Sequence, residues 1–448
     1  MTSSSESQNL LEDLITKAKA AGADAADAVM FRSVSVSHAQ RLGKMEKLER
    51  EESNDLGLRV FIGKRNAVVS SSDSSPQAIN ELVERVISMA RVVPEDPYAG
   101  IASEEQIAKS FPKLDIYDPV EPSADELIRR AKDCEEAALA IEGVTNSGGA
   151  EASWGEATIA LAASNGFSGS YKSSGHSVSV SVLAGEKDGM ERDYDFSSAV
   201  YGDDLMPSKE IGRNAGLKTI QRLNPRKPDT TNDISVVYDP RVSSSIMGHM
   251  VGAITGPAIA RGTSFLKESL GKKIFADGIT ITDDPHIHRG LRSKPFDGEG
   301  LANSKQNIIE NGILKTWLLS LSSARQLNLE STGHASRGTS GNPGPSTTNL
   351  YMAAGKLSVE ELIKDIKQGF FVTEMMGSSV NGLTGDYSRG AGGYWIEDGQ
   401  IAYPVSEATI AGNLKDMFLN LTPASDLTFR YGSNAPTIRI DGMTVAGN

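Results

Sequence analysis

Hydrophobic and polar residues follow two different periods along the first half of the chain. Apolar residues recur every three or four positions in four segments, which predicts amphipathic helices over residues 7–20, 76–92, 123–141 and 208–223. A period of two, typical of strands with one buried face, runs through 28–39, through 57–71 around a turn at Gly63-Lys64, and through 144–200. The first half is therefore predicted to be a mixed α/β unit.

Prolines mark the predicted boundaries of this organisation. Five prolines lie between residues 94 and 122, which predicts a connection and a possible break between two subdomains. The sequence PRKPD at 225–229 follows the last predicted helix and indicates a domain boundary. We therefore expect an α+β protein, with an N-terminal α/β part over 1–229 and a β-rich C-terminal domain over 230–448.

One helix stands out near the start of the second half. Asp239 is a good N-cap and Pro240 suits the first helical position, where no backbone hydrogen bond is lost. Apolar residues at helical spacing then predict one buried face, formed by Val242, Ile246, Met250 and Ile254. The pair Gly256-Pro257 is predicted to end the helix, since proline cannot continue the hydrogen-bond ladder.

The same helix carries a stripe of small residues. Gly248, Gly252 and Gly256 recur every four positions, so they share one face of the helix. Glycine leaves room for the close approach of another backbone. A short segment containing Arg261 and Thr263 follows the helix.

Composition restricts the classes of partner and the compartment. The 448 residues carry 45 Lys+Arg against 58 Asp+Glu, a formal net charge of −13, which argues against nucleic acid and against an anionic membrane surface. The single cysteine, Cys134, lies in a predicted helix, and we interpret it as a packed, inert thiol. No segment predicts a signal peptide or a membrane span, so we expect a cytoplasmic protein.

Three longer motifs follow the helix in order. They are FDGEG at 296–300, TGHASR at 332–337 and GDYSRGAGGYWIEDGQIAYPVSEATIAGNL at 385–414. Together with the helix, they resemble the TldD/PmbA family of bacterial metallopeptidases and their partner subunits. The resemblance is strong over about 239–414 and weaker but colinear before it, and several ordered motifs are hard to match by chance.

The resemblance also separates two branches of the family. In the TldD branch the helix carries a zinc motif, His-Glu, three residues, then His, and the matching positions here are Gly248, His249 and Ala253. A hydrolytic zinc site needs about three protein ligands, and this helix offers at most one. TldD-type members also use a cysteine near the C-terminus, whereas no cysteine follows Cys134. The sequence is therefore similar to the TldE/PmbA branch, which lacks the metal motif.

Several properties are implied by this resemblance alone. The chain is expected to pair with a TldD-type subunit as a heterodimer, and a homodimer is also possible. The complex is expected to degrade or process peptides and unfolded proteins. No catalytic residue and no metal are assigned to this chain, and zinc is expected in the TldD-type partner.

Seven residues inside the matched motifs are candidates for substrate binding or for the subunit interface. Their polar groups suit charge-assisted hydrogen bonds to a peptide or to a partner chain, although the same groups also serve as anchors of loops and turns. They are His249, Arg261, Thr263, His334, Arg337, Asp386 and Arg389.

Two alternative functions remain open. His286 and His288 are the one close histidine pair, with Asp283 and Asp284 nearby, and they would be the metal site of a self-sufficient metallopeptidase. A solvated loop is the favoured interpretation, because the segment contains proline. The second alternative is a non-catalytic regulator of gyrase, which an older name of the family suggests. The glycines of RGAGGYW are expected to make tight β structure and not a phosphate loop, since no Gly-Lys-Ser/Thr follows.

Overall fold

A computed structural model describes the backbone of residues 4–447 and the side chains of 6–187, 189–377 and 379–447. The first half is built on a six-stranded antiparallel sheet with the strand order β3-β2-β1-β4-β5-β6. Its strands are β1 (Ala25–Arg41), β2 (Lys44–Ile62), β3 (Arg65–Ser71), β4 (Val144–Ala163), β5 (Ser168–Ala184) and β6 (Glu191–Ala199).

Two pairs of helices cover one face of this sheet, at opposite ends of its long strands. Ala28 and Val36 of β1 are eight residues apart and therefore share a face. Ala28 packs in the core with the first helix pair, whereas Val36 packs with the second pair. The helices are α1 (Ser4–Ala20), α2 (Pro76–Val92), α3 (Ala124–Leu139) and α4 (Ser208–Gln221), close to the predicted bounds.

The opposite face of the sheet meets the rest of the chain. Val29 of β1 and Leu161 of β4 are buried there against Phe167, Ala108 and Phe296. Ala108 belongs to the proline-rich connection and Phe296 to the FDGEG turn. The connection is therefore packed between the N-terminal sheet and the C-terminal part.

The C-terminal part contains two larger sheets. One has six strands in the order β16-β15-β14-β7-β19-β17, and β16 also pairs with β19, which curls the sheet toward a barrel. The other has five strands in the order β10-β9-β8-β13-β18, and β11 pairs with β12. The strands are β7 (Thr231–Tyr238), β8 (Ile281–Asp284), β9 (Gln306–Glu310), β10 (Ile313–Leu314), β11 (Ala335–Ser336), β12 (Gly344–Pro345), β13 (Asn349–Met352), β14 (Gln368–Val380), β15 (Asp386–Glu397), β16 (Gln400–Asn413), β17 (Leu421–Pro423), β18 (Ser433–Asn434) and β19 (Ile438–Ala446).

Short helices connect these strands, and the β-rich C-terminal part confirms the predicted α+β class. The helices are α5 (Pro240–Ala253), α6 (Gly256–Ala260), α7 (Leu321–Leu327), α8 (Val359–Ile363) and α9 (Leu414–Leu419). No helix among the described residues is long and apolar enough to cross a lipid bilayer.

The helix α5 is held by the core of the C-terminal part. Ile246, Met250 and Ile254 are fully buried with Tyr238 of β7 and Tyr387 of β15. Asp239 caps the helix as predicted, because its side chain accepts a hydrogen bond from the Arg241 N–H at 3.0 Å. Three of the four predicted apolar positions therefore anchor α5 in the core, and the fourth, Val242, packs at its margin.

The predicted end of this helix was wrong by two residues. The helix ends at Ala253, and Thr255 has an extended backbone with φ −68° and ψ 137°. Gly256 and Pro257 begin the separate helix α6, because proline fits the first turn of a helix as well as it ends one.

Candidate functional site

One face of α5 is open where the small residues lie. A Cβ atom placed on Gly248 or Gly252 would meet nothing within 4 Å. Gly256 differs, since a Cβ atom there would lie 2.5 Å from Cβ of Ser323 at the start of α7. The glycine stripe therefore has two roles: its C-terminal member permits a close contact within the chain, and the other two leave an open surface.

His249 lies beside this open face. Its ring meets the ring of Tyr387 edge-on, with centroids 5.6 Å apart. The Nε2 atom is buried and has no hydrogen-bond partner among the described residues. Burial, and then the positive charge of Arg389, hold the pKa of His249 below its usual value of 6.5. The imidazole is therefore neutral at pH 7.

Arg389 of β15 is an unpaired cation next to that histidine. Its Nε atom is buried without a partner, and no described carboxylate lies within 4 Å of its guanidinium. Burial raises the pKa of the neighbouring phenols of Tyr238 and Tyr387, so both are uncharged at neutral pH. A partly buried guanidinium without a counter-ion favours a carbonyl or carboxylate group from another molecule.

Two further candidates, Arg261 and Thr263, lie on the loop after α6. The N–H of Phe265, two residues on, donates to the Gly382 carbonyl at 2.8 Å, which joins this loop to the turn before β15. Both candidates are exposed, and the N–H of Thr263 donates to the Ala258 carbonyl at 3.0 Å. The Oγ1 atom of Thr263 also donates to that carbonyl, at 3.3 Å, so Thr263 helps to fix the loop, while the Arg261 side chain is exposed.

Asp386 stabilises the turn that holds Gly382. Its carboxylate accepts hydrogen bonds from Oγ1 of Thr384 at 2.6 Å and from Nδ2 of Asn413 at 3.0 Å. These two hydrogen bonds lower its pKa. The geometry explains Asp386 as a residue that orders the start of β15, while its role in binding stays a prediction.

Arg337 lies in a different place, between the C-terminal part and the N-terminal sheet, and His334 is buried inside the C-terminal part. His334 is 2% exposed, with Nδ1 2.8 Å from Oγ1 of Thr332 and Nε2 3.4 Å from Oδ2 of Asp283. The Arg337 side chain is 2% exposed, and its Nη1 donates to Oδ1 of Asp27 at 2.6 Å. Both side chains are thus held by partners within the chain, and their role in binding stays a prediction.

The FDGEG turn belongs to the same internal region. Oδ1 of Asp297 accepts from the N–H groups of Glu299 and Leu301 at 2.8 and 2.9 Å, which holds the turn. Oε2 of Glu299 accepts from the N–H of Leu321 at 2.8 Å, at the start of α7. Burial, and then the charge of Asp297, raise the pKa of Glu299 to about 7. The sequence analysis quoted the FDGEG motif but did not single out either carboxylate, because no local pattern shows that an acid between glycines is buried.

The residues on α5 do not fit a hydrolytic zinc ion. Gly248 and Ala253 have no ligand atom, so His249 is the one donor at the three matched positions. Within the described residues, no three His, Cys, Asp or Glu side chains converge as a ligand set. His286 and His288 lie past the end of β8 and have separate partners: Nε2 of His286 is 2.8 Å from Oδ1 of Asn303, and Nε2 of His288 is 3.3 Å from Oδ2 of Asp115.

None of the seven candidate residues lines one further cleft of the molecule. It encloses about 1300 Å³ between β6, α4 and the C-terminal sheet, and its lining is rich in aromatic rings such as Tyr194 and Tyr431. Both arginines of its lining face a carboxylate: Nη1 of Arg241 lies 2.7 Å from Oδ1 of Asp193, and Nη2 of Arg430 lies 3.4 Å from Oδ1 of Asp195. This cleft therefore lacks an unpaired guanidinium of the kind found at Arg389.

Comparison with known proteins defines the class of protein. Models of the PmbA/TldA metallopeptidase match in three consecutive pieces: domain 1 at residues 26–90, the central domain at 117–223 and the C-terminal domain at 231–447. The metalloprotease PmbA of Escherichia coli is 39% identical over 445 residues, which covers 98% of this chain and 97% of the relative.

Solved structures give the same fold. A candidate modulator of DNA gyrase from Bacteroides thetaiotaomicron superposes with a TM-score of 0.91 at 27% identity, covering 99% of both chains. TldE from Thermococcus kodakarensis superposes with a TM-score of 0.87 at 21% identity, covering 98% of this chain and 100% of that one. The chain belongs to the PmbA/TldE family of metallopeptidases, as the motifs at 239–414 had indicated.

Proposed function

We propose that this chain is the TldE-type subunit of a TldD–TldE metallopeptidase complex that degrades or processes peptides and unfolded proteins. The observation that carries the proposal is the sequence of α5, where Gly248 and Ala253 stand at the zinc-ligand positions of the TldD branch and have no donor atom in their side chains. In this proposal the zinc and the hydrolytic water belong to a TldD-type partner, and this chain supplies part of the binding groove. We further propose a cytoplasmic location, no nucleic-acid partner and no membrane association.

The open face of α5 supports a role in binding. Gly248 and Gly252 leave space for an extended backbone, and Arg389 supplies an unpaired guanidinium beside it. Backbone carbonyls and a C-terminal carboxylate occur in every peptide, so this contact has little sequence preference. Neutral His249 adds a buried nitrogen that is free to hydrogen-bond.

Purification with a partner tests the proposal most directly. The chain is expressed alone and together with a TldD-type chain, and zinc is measured in each subunit after separation. We expect a stoichiometric mixed complex, zinc in the TldD-type chain, and cleavage of an unfolded model peptide by the complex alone. Tightly bound zinc together with peptidase activity in this chain by itself would overturn the proposal and favour a self-sufficient enzyme.

Variants of the open face test which surface binds the substrate. Gly248→Leu places an apolar side chain on the open face of α5, where its Cβ atom meets nothing within 4 Å, and it should lower cleavage by the complex. Gly341→Leu is the matched control, because a Cβ atom there also meets nothing within 4 Å and the residue lies in the exposed loop between β11 and β12. Equal cleavage by both variants would count against the α5 face.

The description of the Bacteroides structure favours one other candidate function, binding to gyrase. The same preparation of the isolated chain separates the two hypotheses, because a gyrase regulator needs no TldD-type partner. Retention of purified gyrase by the isolated chain, with no assembly with a TldD-type chain, would favour the regulator.

A further inference from the structure

A small cavity lies between the N-terminal sheet and the FDGEG turn, and no residue of α5 lines it. It encloses about 110 Å³, the volume of about four water molecules or of one small organic molecule. Its apolar wall comes from one face of the sheet, with Phe31 of β1 and Leu161 of β4, and from Phe296 of the turn. The lining also includes Ser336, which is exposed, so the cavity opens to solvent there.

Arg337 lines this cavity with a guanidinium that is only partly used. Its Nη1 atom donates to Oδ1 of Asp27 at 2.6 Å, and Asp27 is not part of the cavity wall. The Nε and Nη2 atoms are buried and have no hydrogen-bond partner among the described residues. The N–H groups of these two atoms form one edge of the guanidinium, which matches the two oxygens of a single carboxylate. Buried donors without an acceptor cost free energy, so this edge favours an added acceptor.

The charges around Arg337 leave one cation in excess. Arg337 and Arg59 share the single carboxylate of Asp27, and no other carboxylate of the described residues lies within 4 Å of either guanidinium. None of these three side chains is more than 6% exposed. Glu299 acts on Arg59 from farther away, and its pKa of about 7 leaves part of it uncharged at neutral pH. A buried charge is costly unless it is paired, so the surroundings favour one added anion.

Lys294 is a second cation on the cavity wall. Its Nζ atom donates to the Ala335 carbonyl at 3.0 Å and can donate two further hydrogen bonds. Asp297 also lines the cavity, but its oxygens accept from backbone N–H groups, Oδ1 from Glu299 and Leu301 and Oδ2 from Ala335. The charge of Asp297 offsets that of Lys294, and the excess cation at Arg337 remains.

We infer that this cavity binds a small carboxylate that carries a short apolar group. The two carboxylate oxygens accept from Nε and Nη2 of Arg337, and Lys294 donates to one of them. The apolar group packs against Phe31, Leu161 and Phe296. Two sources share this chemistry, a free short-chain acid and the C-terminal residue of a peptide, because the volume holds no longer segment. The inference does not depend on the proposed peptidase function.

Calorimetric titration of the full chain with isobutyrate tests the ligand class. We expect a Kd of about 1 mM, which a ligand of this size can reach, and a Tm that rises with the isobutyrate concentration. Isobutyramide keeps the shape without the charge, and inorganic phosphate keeps a charge without the apolar group. Each should bind about tenfold more weakly than isobutyrate. Absence of isobutyrate binding at about 20 mM, or equal binding of either of the other two compounds, overturns the inference.

Variants of the two cations test the location. Arg337→Lys keeps a charge beside Asp27 but cannot offer two parallel N–H groups, so isobutyrate affinity should fall about tenfold. Lys294→Met removes the second cation and should also weaken binding. Urea denaturation without ligand checks that each variant is folded. Arg213→Lys is the matched control, because Arg213 is exposed on α4, which covers the opposite face of the sheet. Parent affinity in both cavity variants overturns the assignment to this cavity.

N-acetylalanine separates the two sources of the ligand. It differs from isobutyrate by an acetamido group in place of one methyl group, and this group represents the preceding part of a peptide. Tighter binding of N-acetylalanine assigns the cavity to a peptide C-terminus, and tighter binding of isobutyrate assigns it to a free acid. Both results support a carboxylate site. The measurements use the isolated chain, so failure to assemble with a TldD-type chain would count against the proposed function and leave this inference intact.

Discussion

Arg337 and Asp27 form a buried ion pair across 310 residues of chain, with Nη1 of the arginine 2.6 Å from Oδ1 of the aspartate. Asp27 lies on β1 and also accepts hydrogen bonds from Arg59 of β2. None of the three side chains is more than 6% exposed. Burial by itself raises the pKa of Asp27, but Arg337 and Arg59 outweigh it and hold that pKa below its usual value. The pair therefore joins the C-terminal part to the N-terminal sheet through charge.

Loss of Arg337 should destabilise the whole chain. Arg337→Met keeps most of the volume but leaves Asp27 with one cation in place of two, and we expect the free energy of unfolding to fall by about 3 kcal/mol. Denaturation by urea measures the difference. Arg261→Met, at an exposed arginine with no described carboxylate within 4 Å, is the control and should change stability by less than about 0.5 kcal/mol. Equal stability of the two variants would contradict the assigned role.

Glu299 should make stability fall as the pH rises toward neutrality. Its pKa is about 7 in the folded chain against a model value of 4.5, so the folded state favours the protonated form. The stabilisation that comes from the protonated form of Glu299 is therefore fully present below pH 4.5 and is lost as the pH rises through 7. The free energy of unfolding should fall by up to about 3 kcal/mol over this range.

Replacement by glutamine isolates this effect. Glu299→Gln still accepts the hydrogen bond from the Leu321 N–H but cannot ionise. The variant should match the parent chain near pH 4.5 and exceed its stability at pH 8. Parallel stability curves for the two proteins between these pH values would refute the shifted pKa.

The pattern of apolar and polar residues predicted those helices and strands that have one buried face and one exposed face. The helix α2 has the predicted bounds because its buried residues, such as Ile79, Leu82 and Val86, recur every three or four positions between polar residues. This spacing is visible in the sequence. The first half of β2 was missed for the opposite reason. Residues 44–52 expose both faces to solvent, and no alternation of apolar and polar residues marks them as a strand.

The sequence could not predict which candidate residues lie close together, because this depends on contacts between segments that are far apart in the chain. His249 and Arg389 are neighbours because β15 packs against α5 through Tyr387. Arg337, like Arg389, lies in one of the motifs that match the family, yet its partner is Asp27 near the other end of the chain. No local pattern distinguishes an arginine with a buried counter-ion from one without.

Gly248 and Gly252 should lower the stability of the chain while they leave room for binding. Gly248→Ala and Gly252→Ala add a methyl group to a helix where nothing is displaced, and each should stabilise the chain by roughly 0.5–1 kcal/mol. If an extended peptide or a partner backbone lies against this face, the same changes should lower binding. Urea denaturation and peptide affinity of the complex measure the two effects. Variants with higher stability and unchanged affinity would show that the face is not used.

The pKa of His249 should report directly on Arg389. Burial lowers that pKa first and the charge of Arg389 lowers it further, so Arg389→Met should raise it toward 6.5, whereas Arg389→Lys should keep it low. NMR titration of the imidazole measures the value, and the chain has only six histidines to assign. Arg261→Met is the control and should leave the titration unchanged.

An anionic ligand bound to Arg389 should raise the pKa of His249, as removal of the Arg389 charge should. A peptide carboxylate bound to the guanidinium offsets its field, so a saturating peptide with a free C-terminus should raise the His249 pKa, and the amidated peptide should raise it less. Arg389→Met should abolish the difference between the two peptides. Equal titration curves with and without the free carboxylate would show that Arg389 does not bind the peptide terminus, and would leave backbone carbonyls as its ligands in the proposed groove.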